Sequence, residues 1–600
     1  MSITPLASSK IIPDLYLHDA KILTGPWNTI IDPYETGFYD YRWRQRDLSE
    51  YQARSETFYL DVQPADLTER IEYNFDESPM LEVPGDWNTQ RESLYYYEGT
   101  LWYRTTFDSQ KPVDGSRVFL RFGAANYRAD VYLNGKKLGV HIGGFTPFNF
   151  ECTDLIENGR NSLVVRVDNK RYAEGVPTLN TDWWNYGGLT RDVRLIHTPS
   201  TFIREHRLEL VPNTQNKLSG SIQLNEPEAG VEVRMRIAEL DVDQAARTDS
   251  NGKAEFRINA DQIELWSPES PKLYSVEMIV DQRTIVDQMG FRTIQTKGKQ
   301  LLLNGEPVFL RGISIHDELP LGGAGRTRTE SDSRQLLEWA KELGCNFVRL
   351  AHYPHPEYMT RLADEMGLLV WSEVPVYWTI DWENEDTYLN AENQLTEMIK
   401  RDMNRSSVII WSLANETPVG DARTEFLTKL AHKARSLDQT RLLSLALEKH
   451  SDPDDPNLSI VEDAIADLVD VVSFNQYVGW YDGLPSKTQR IRWKIPYDMP
   501  VIVSEFGAGA KAGKFGDKSE IWTEEFQADL YTQTLEMLDR IDGFAGVSPW
   551  ILSDFRSPRR LLPGIQDGYN RKGLIGDDGS RKKAFYVLQE YYRQRAVSED

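Results

Sequence analysis

Two β-sandwiches followed by a (β/α)₈ barrel are what three features of this sequence predict. The first third is a series of short alternating strands broken by Asn-Gly and Gly turns. Residues 201–290 repeat that pattern on a smaller scale, and from 291 onward apolar strands alternate with amphipathic helices. The 600 residues correspond to three or four domains at about 150 residues each. Forty per cent apolar and 27% charged residues supply several packed cores and exclude wholesale disorder.

The first module, 1–200, reads as a jelly-roll sandwich. Leu101–Phe107, Arg117–Phe122, Ala129–Leu133, Lys136–Val140, Ser162–Val167 and Asp192–Ile196 have strand length and alternation. Asn134-Gly135 marks a tight hairpin, and the segment from Asp182 to Gly188 is an irregular aromatic loop. The second module, 201–290, has strands at Arg207–Leu210, Val231–Ala238, Ala254–Ile258 and Tyr274–Val280, which suits an immunoglobulin-like sandwich. In the third, 291–600, eight apolar runs are the barrel staves: Val308–Arg311, Asn346–Leu350, Leu368–Ser372, Val408–Leu413, Leu442–Leu445, Val471–Phe474, Val501–Ser504 and Phe544–Trp550. Helices fall between them; Ser333–Leu343 carries Leu336, Leu337, Ala340 and Leu343 on one face.

The formal net charge of −24 disfavours nucleic acid and anionic membrane partners. Two cysteines make neither a disulfide framework nor a zinc module. His352 and His355 have metal-ligand spacing, but the intervening Pro354 argues against a helix carrying both. No dinucleotide fingerprint, P-loop or serine nucleophile elbow occurs, so no metal and no cofactor are expected. The first residues lack the cationic and apolar segments of a secretory signal, so the chain as written reads as cytoplasmic, with export open if a leader had been removed.

Barrels carry their chemistry at the C-terminal ends of the strands. The fourth predicted strand runs into Asn415-Glu416 and the seventh into Ser504-Glu505, 89 residues apart, on opposite sides of the mouth. One Glu among 92 acidic residues says nothing; two at matching strand ends describe the carboxylate pair of glycoside hydrolysis. One carboxyl gives a proton to the leaving oxygen, and the other attacks the anomeric carbon. Asn415 is placed to meet the sugar 2-hydroxyl.

Several runs then resemble glycoside hydrolase family 2 along essentially the whole chain: Arg349-Leu350-Ala351-His352-Tyr353-Pro354, Asn415-Glu416-Thr417-Pro418 and Ser504-Glu505-Phe506-Gly507. The resemblance implies Glu416 as acid/base and Glu505 as nucleophile of a retaining, double-displacement exo-β-glycosidase. Asn570-Arg571-Lys572-Gly573 resembles the N-x-K-G element of the β-glucuronidases in that family, which implies that Asn570 and Lys572 grip a C6 carboxylate. Arg556, Arg559, Arg560, Arg571 and Lys572 lie within 17 residues, a basic island suited to an anionic sugar. The same resemblance implies that Tyr477 orients the nucleophile, that Tyr481 lines the pocket, that His316 meets sugar hydroxyls and that Trp550, ending strand eight, forms the pocket floor. It also implies a homo-oligomer.

The match departs from the family pattern at Glu151, where the jelly-roll loop Thr146–Glu151 is expected to end in a hydroxyl-binding Asp, and at Gln566, where an Arg is expected. Galacturonides therefore join glucuronides as expected substrates. Two rival readings are a β-galactosidase or β-mannosidase of the same family and a non-catalytic carbohydrate-binding protein.

Overall fold

The computed structural model describes residues 11–46, 61, 75–113, 115–321 and 325–599; residues 1–10, part of the stretch read for a leader, lie outside these. The first module is a sandwich of a six-stranded and a four-stranded sheet. Thr100–Ser109 and Gly159–Asp168 form the centre of the larger sheet, paired antiparallel over their whole length. Arg117–Phe122 lies between Val193–Thr198 and Phe148–Glu151 in the smaller one. Leu101, Tyr103, Val118, Leu120, Val165 and Val167 face one another in a shared core, as strand alternation requires. The Asn134-Gly135 turn has both residues at positive φ, +50° and +75°, the geometry a two-residue hairpin between Arg128–Leu133 and Lys136–Ile142 needs.

Seven strands between Ile203 and Met289 form the second sandwich, three on one sheet and four on the other. Lys217–Leu224, Val242–Arg247 and Arg283–Met289 complete it; they are polar on alternate positions and carry little apolar signal of their own.

The third module is a closed eight-stranded parallel barrel. Its strands are β1 (Leu310–Ile315), β2 (Phe347–Leu350), β3 (Leu369–Glu373), β4 (Val408–Asn415), β5 (Leu442–Glu448), β6 (Val472–Asn475), β7 (Val501–Glu505) and β8 (Phe544–Val547). Every residue of β4 is buried, as expected of a stave covered on both faces. The helix after β1, Glu330–Glu342, starts with a reciprocal cap between Thr329 and Asp332. Leu310, Phe347, Leu369, Trp371 and Ile410 fill one end of the barrel and pack with Ile294, Leu301 and Leu303 of a small sheet beneath it.

All eight strand limits differ from the expectation at one end or both; the fifth stave, for example, runs three residues further, to Glu448. The first stave starts at Leu310, not Val308, and continues through Ile315. The last ends at Val547, three residues short of Trp550. Pro549 has no N–H to extend the ladder, and the chain turns inward there, with the Trp550 N–H donating to Phe506 O at 2.8 Å.

The jelly roll packs on the barrel through buried ion pairs, Arg121 with Glu357 and Arg191 with Asp317. This carries its 181–191 segment to the barrel mouth. Among the described residues no helix is long and apolar enough to cross a membrane.

Candidate active site

Five strand ends converge. Arg349 from β2 is fully buried and donates from Nη1 to Glu505 Oε1 at 2.7 Å, and from Nη2 to Glu373 Oε1 at 2.9 Å and Asn415 Oδ1 at 2.8 Å. It joins the ends of β2, β3, β4 and β7 with one guanidinium. Glu373 also accepts from the Trp371 indole at 2.8 Å, and His352 Nδ1 lies 3.0 Å from it. Burial alone would raise the Glu373 carboxyl; Arg349 and His352 outweigh it and hold it down at about 2. Glu505 Oε2 accepts from the Tyr477 hydroxyl at 2.7 Å. Both oxygens of Glu505 therefore accept hydrogen bonds, one from Arg349 and one from Tyr477.

Glu416 is in a different setting. It lies just past β4 with φ +48°, a conformation that costs energy for a residue with a Cβ and turns the chain at the mouth. Its Oε1 accepts from Asn475 at 2.8 Å and its Oε2 from the Trp378 indole at 2.9 Å. No cation is paired with it among the described residues. Burial and the nearby charge of Glu505 push its carboxyl up to about 7. The Tyr477 hydroxyl, raised by burial and then by Glu505 and Glu416, feels both carboxylates. The two glutamates thus belong to one hydrogen-bonded cluster, Glu505 between Arg349 and Tyr477 and Glu416 poised to keep a proton near neutrality.

Donors remain open around them. The Asn415 amide nitrogen is buried and has no partner among the described residues, while its oxygen is taken by Arg349 and Asn475. His316 Nδ1 lies 3.1 Å from the Tyr353 hydroxyl, and its buried Nε2 is unpartnered. Burial, then the neighbouring His352, keep that imidazole well below the usual range, hence neutral. Trp550 stacks on His352 at 4.7 Å and 23°.

The basic island resolves into separate duties. Arg571 is spent on Asp554 and Asp577, and the neighbouring Lys582 on Asp554. Lys572 is 4% exposed, and its only hydrogen-bond acceptor among the described residues is the Tyr481 hydroxyl at 2.7 Å, with the Tyr481 and Tyr477 rings at 4.8 and 5.4 Å. Asn570 donates to Asp182 Oδ2 at 3.1 Å. Arg560 forks onto both oxygens of that same Asp182. The Gly of the motif has a steric reason: a Cβ on Gly573 would come within 2.1 Å of the Asp554 backbone nitrogen.

One expected residue is elsewhere. Glu151 is exposed at the end of its strand, where it accepts from Thr153 and faces Arg117, far along the chain from the mouth-facing loop. The jelly-roll acid that reaches the cavity is Asp182, in the aromatic loop, because that loop carries the buried contacts to the barrel. Arg349, Glu373, Asn475, Trp378 and Arg560 also line the centre without having been singled out as site residues. Arg349 and Glu373 were detectable, since each is an ionisable residue ending a buried apolar strand.

Three family models tile the chain. One described as glycosyl hydrolases family 2, TIM barrel domain, matches residues 294–596; the family's sugar binding domain matches 21–199, and a third family 2 model matches 201–292. A β-glucuronidase of Paenibacillus borealis is 29% identical over 560 residues, covering 85% of this chain and 90% of its own. A larger Formosa agariphila relative, 29% identical over 568 residues, is spanned over 66% of its length. The solved structure of a β-glucuronidase from an uncultured Clostridium species superposes with a TM-score of 0.80 at 27% identity, covering 96% of this chain and 98% of that one. With the carboxylate pair in the barrel mouth and family models matching all three modules, the chain belongs to glycosyl hydrolases family 2.

Proposed function

We propose that this glycoside hydrolase removes terminal β-linked hexuronides, glucuronides first, with retention of configuration. Glu505 attacks the anomeric carbon while Glu416 gives its proton to the departing glycosidic oxygen, leaving a glycosyl ester on Glu505. That ester carries no charge, so Glu416, now ionised, takes a proton from water as it attacks the anomeric carbon and frees the sugar. Asn415, with its free amide N–H, meets the 2-hydroxyl, and neutral His316 and Asp182 meet other hydroxyls.

The observation that carries the substrate class is Lys572. A buried ammonium with only a phenol and aromatic faces around it lacks its counter-charge. A carboxylate at C6 of the sugar supplies it, with Asn570 beside it and Arg560 against Tyr481 in place of the arginine absent at Gln566. The named activities of the Paenibacillus and Clostridium proteins support the same reading. The test is a panel of p-nitrophenyl β-glucuronide, β-galacturonide, β-galactoside and β-mannoside at equal concentration. The uronides should dominate kcat/KM; faster turnover of either neutral sugar would overturn the proposal.

A further inference from the structure

Arg559 has no part in that reading, yet it is held at the mouth. Arg560 and Arg571 hold aspartates. Arg559 forms no ion pair with a carboxylate among the described residues: its guanidinium lies 4.9 Å from the centre of the Trp378 ring, and Nη1 donates to Asn180 Oδ1. The loop beneath it is pinned, since the Arg559 N–H donates to Ser557 Oγ at 3.2 Å and the Ser557 hydroxyl donates to Asp182 at 2.6 Å. Trp378 is itself fixed. Its backbone sits at φ +55° with the N–H on Asn415 O at 3.0 Å, and its indole N–H bonds Glu416 Oε2.

A general acid must touch the glycosidic oxygen, which is the boundary between the sugar being released and its leaving group. Trp378 hydrogen-bonds Glu416 and makes no hydrogen bond to Glu505, Lys572 or Tyr481. It therefore borders the leaving-group side, as a flat apolar face with an exposed cation over it. With the guanidinium over the indole and the Tyr377 ring 4.5 Å from it, the pair fits a sugar unit that meets the exposed indole edge and sets an oxyanion on the outer side of the guanidinium. We propose that Trp378 and Arg559 form a leaving-group subsite for a sugar unit bearing a carboxylate or sulfate, which makes the preferred substrates acidic oligosaccharides cut from their non-reducing end. This rests on the hexuronidase reading of the same cavity.

The test compares four glucuronides: p-nitrophenyl β-glucuronide and glucuronosyl disaccharides whose second sugar is neutral, a uronate or sulfated. Wild-type enzyme should favour one or both anionic disaccharides over the neutral one by about tenfold in kcat/KM at low salt, with the preference shrinking as salt is added. Arg559→Gln should abolish that preference and leave p-nitrophenyl glucuronide within about twofold, which also shows that the variant folds. Which anionic disaccharide leads distinguishes carboxylate from sulfate. A wild-type enzyme indifferent to the second sugar's charge, or an Arg559→Gln variant that keeps the preference, overturns the subsite. An enzyme that cleaves no glucuronide but cleaves a neutral glycoside defeats the hexuronidase reading instead, and the same neutral and anionic second sugars on that glycoside then decide the role of Arg559.

Discussion

The cavity has two regions that treat charge in opposite ways. At the strand ends, Arg349 is paired with Glu373 and Glu505, and both carboxylates end barrel staves. In the loop after β8, Lys572 is also buried but has no carboxylate partner among the described residues, and its neighbours are the aromatic side chains of Tyr477, Trp480 and Tyr481 in the loop after β6. On the function proposed above, the difference separates chemistry from recognition. A nucleophile must be an oriented anion before substrate arrives, so its counterion is built in. A specificity cation gains discrimination by leaving its counterion to the substrate.

The contrast can be broken in several places. Glu505→Ala should lower kcat on p-nitrophenyl glucuronide by on the order of 10⁴-fold or more, since no other group can form the ester; near wild-type turnover in a protease-free preparation would refute the assignment. Arg349→Met removes the guanidinium shared by two buried carboxylates and should cost roughly 3–5 kcal/mol of stability, read as a lowered urea midpoint. The matching change in the other region, Lys572→Met, removes an uncompensated charge and should leave that midpoint unchanged or raised. If both variants unfold alike, the two regions do not differ in the way argued here.

Glu416 sharpens the comparison through pH. Its folded carboxyl near 7, against an ordinary 4.5, means that the native state resists ionising it. The resulting stability is present below about 4.5 and lost progressively as pH rises to 7, a change of about 3 kcal/mol. Glu416→Gln should therefore gain stability relative to wild type between pH 5 and 8, and show no gain at pH 4, in paired thermal melts. In the wild type the acid form is the active one, so kcat/KM should fall above about pH 7.

Lys572→Met should also cost roughly 2–4 kcal/mol in transition-state stabilisation for a glucuronide and much less for the corresponding glucoside. Equal losses on both substrates would show that Lys572 supports the fold of the pocket and not its selectivity.

The fold class and the two central carboxylates were legible because they depend on local periodicity. Strand and helix repeats are written in neighbouring residues, and a barrel requires that groups ending its strands face one mouth. Glu416 and Glu505 follow from that alone. Asn570 and Lys572 stand out in the sequence only as a short motif, whose glycine packs too close to Asp554 to carry a Cβ.

What no strand pattern could have revealed lies in the loops. The sequence points to Thr146–Glu151 for the jelly-roll acid and marks the Asp182 segment only as an irregular aromatic loop, and no periodicity distinguishes them. Asp182 reaches the cavity because its module docks on the barrel there, an arrangement fixed by contacts between residues hundreds of positions apart. In the same way, five clustered basic residues read as one anion site, yet folding pairs some with aspartates and leaves Lys572 and Arg559 without carboxylates. The residue types and their strand positions thus determined which chemistry was available, and the packing of one module on another decided which charges are neutralised and which stay open, because Coulomb partners are set by distance in space and not along the chain.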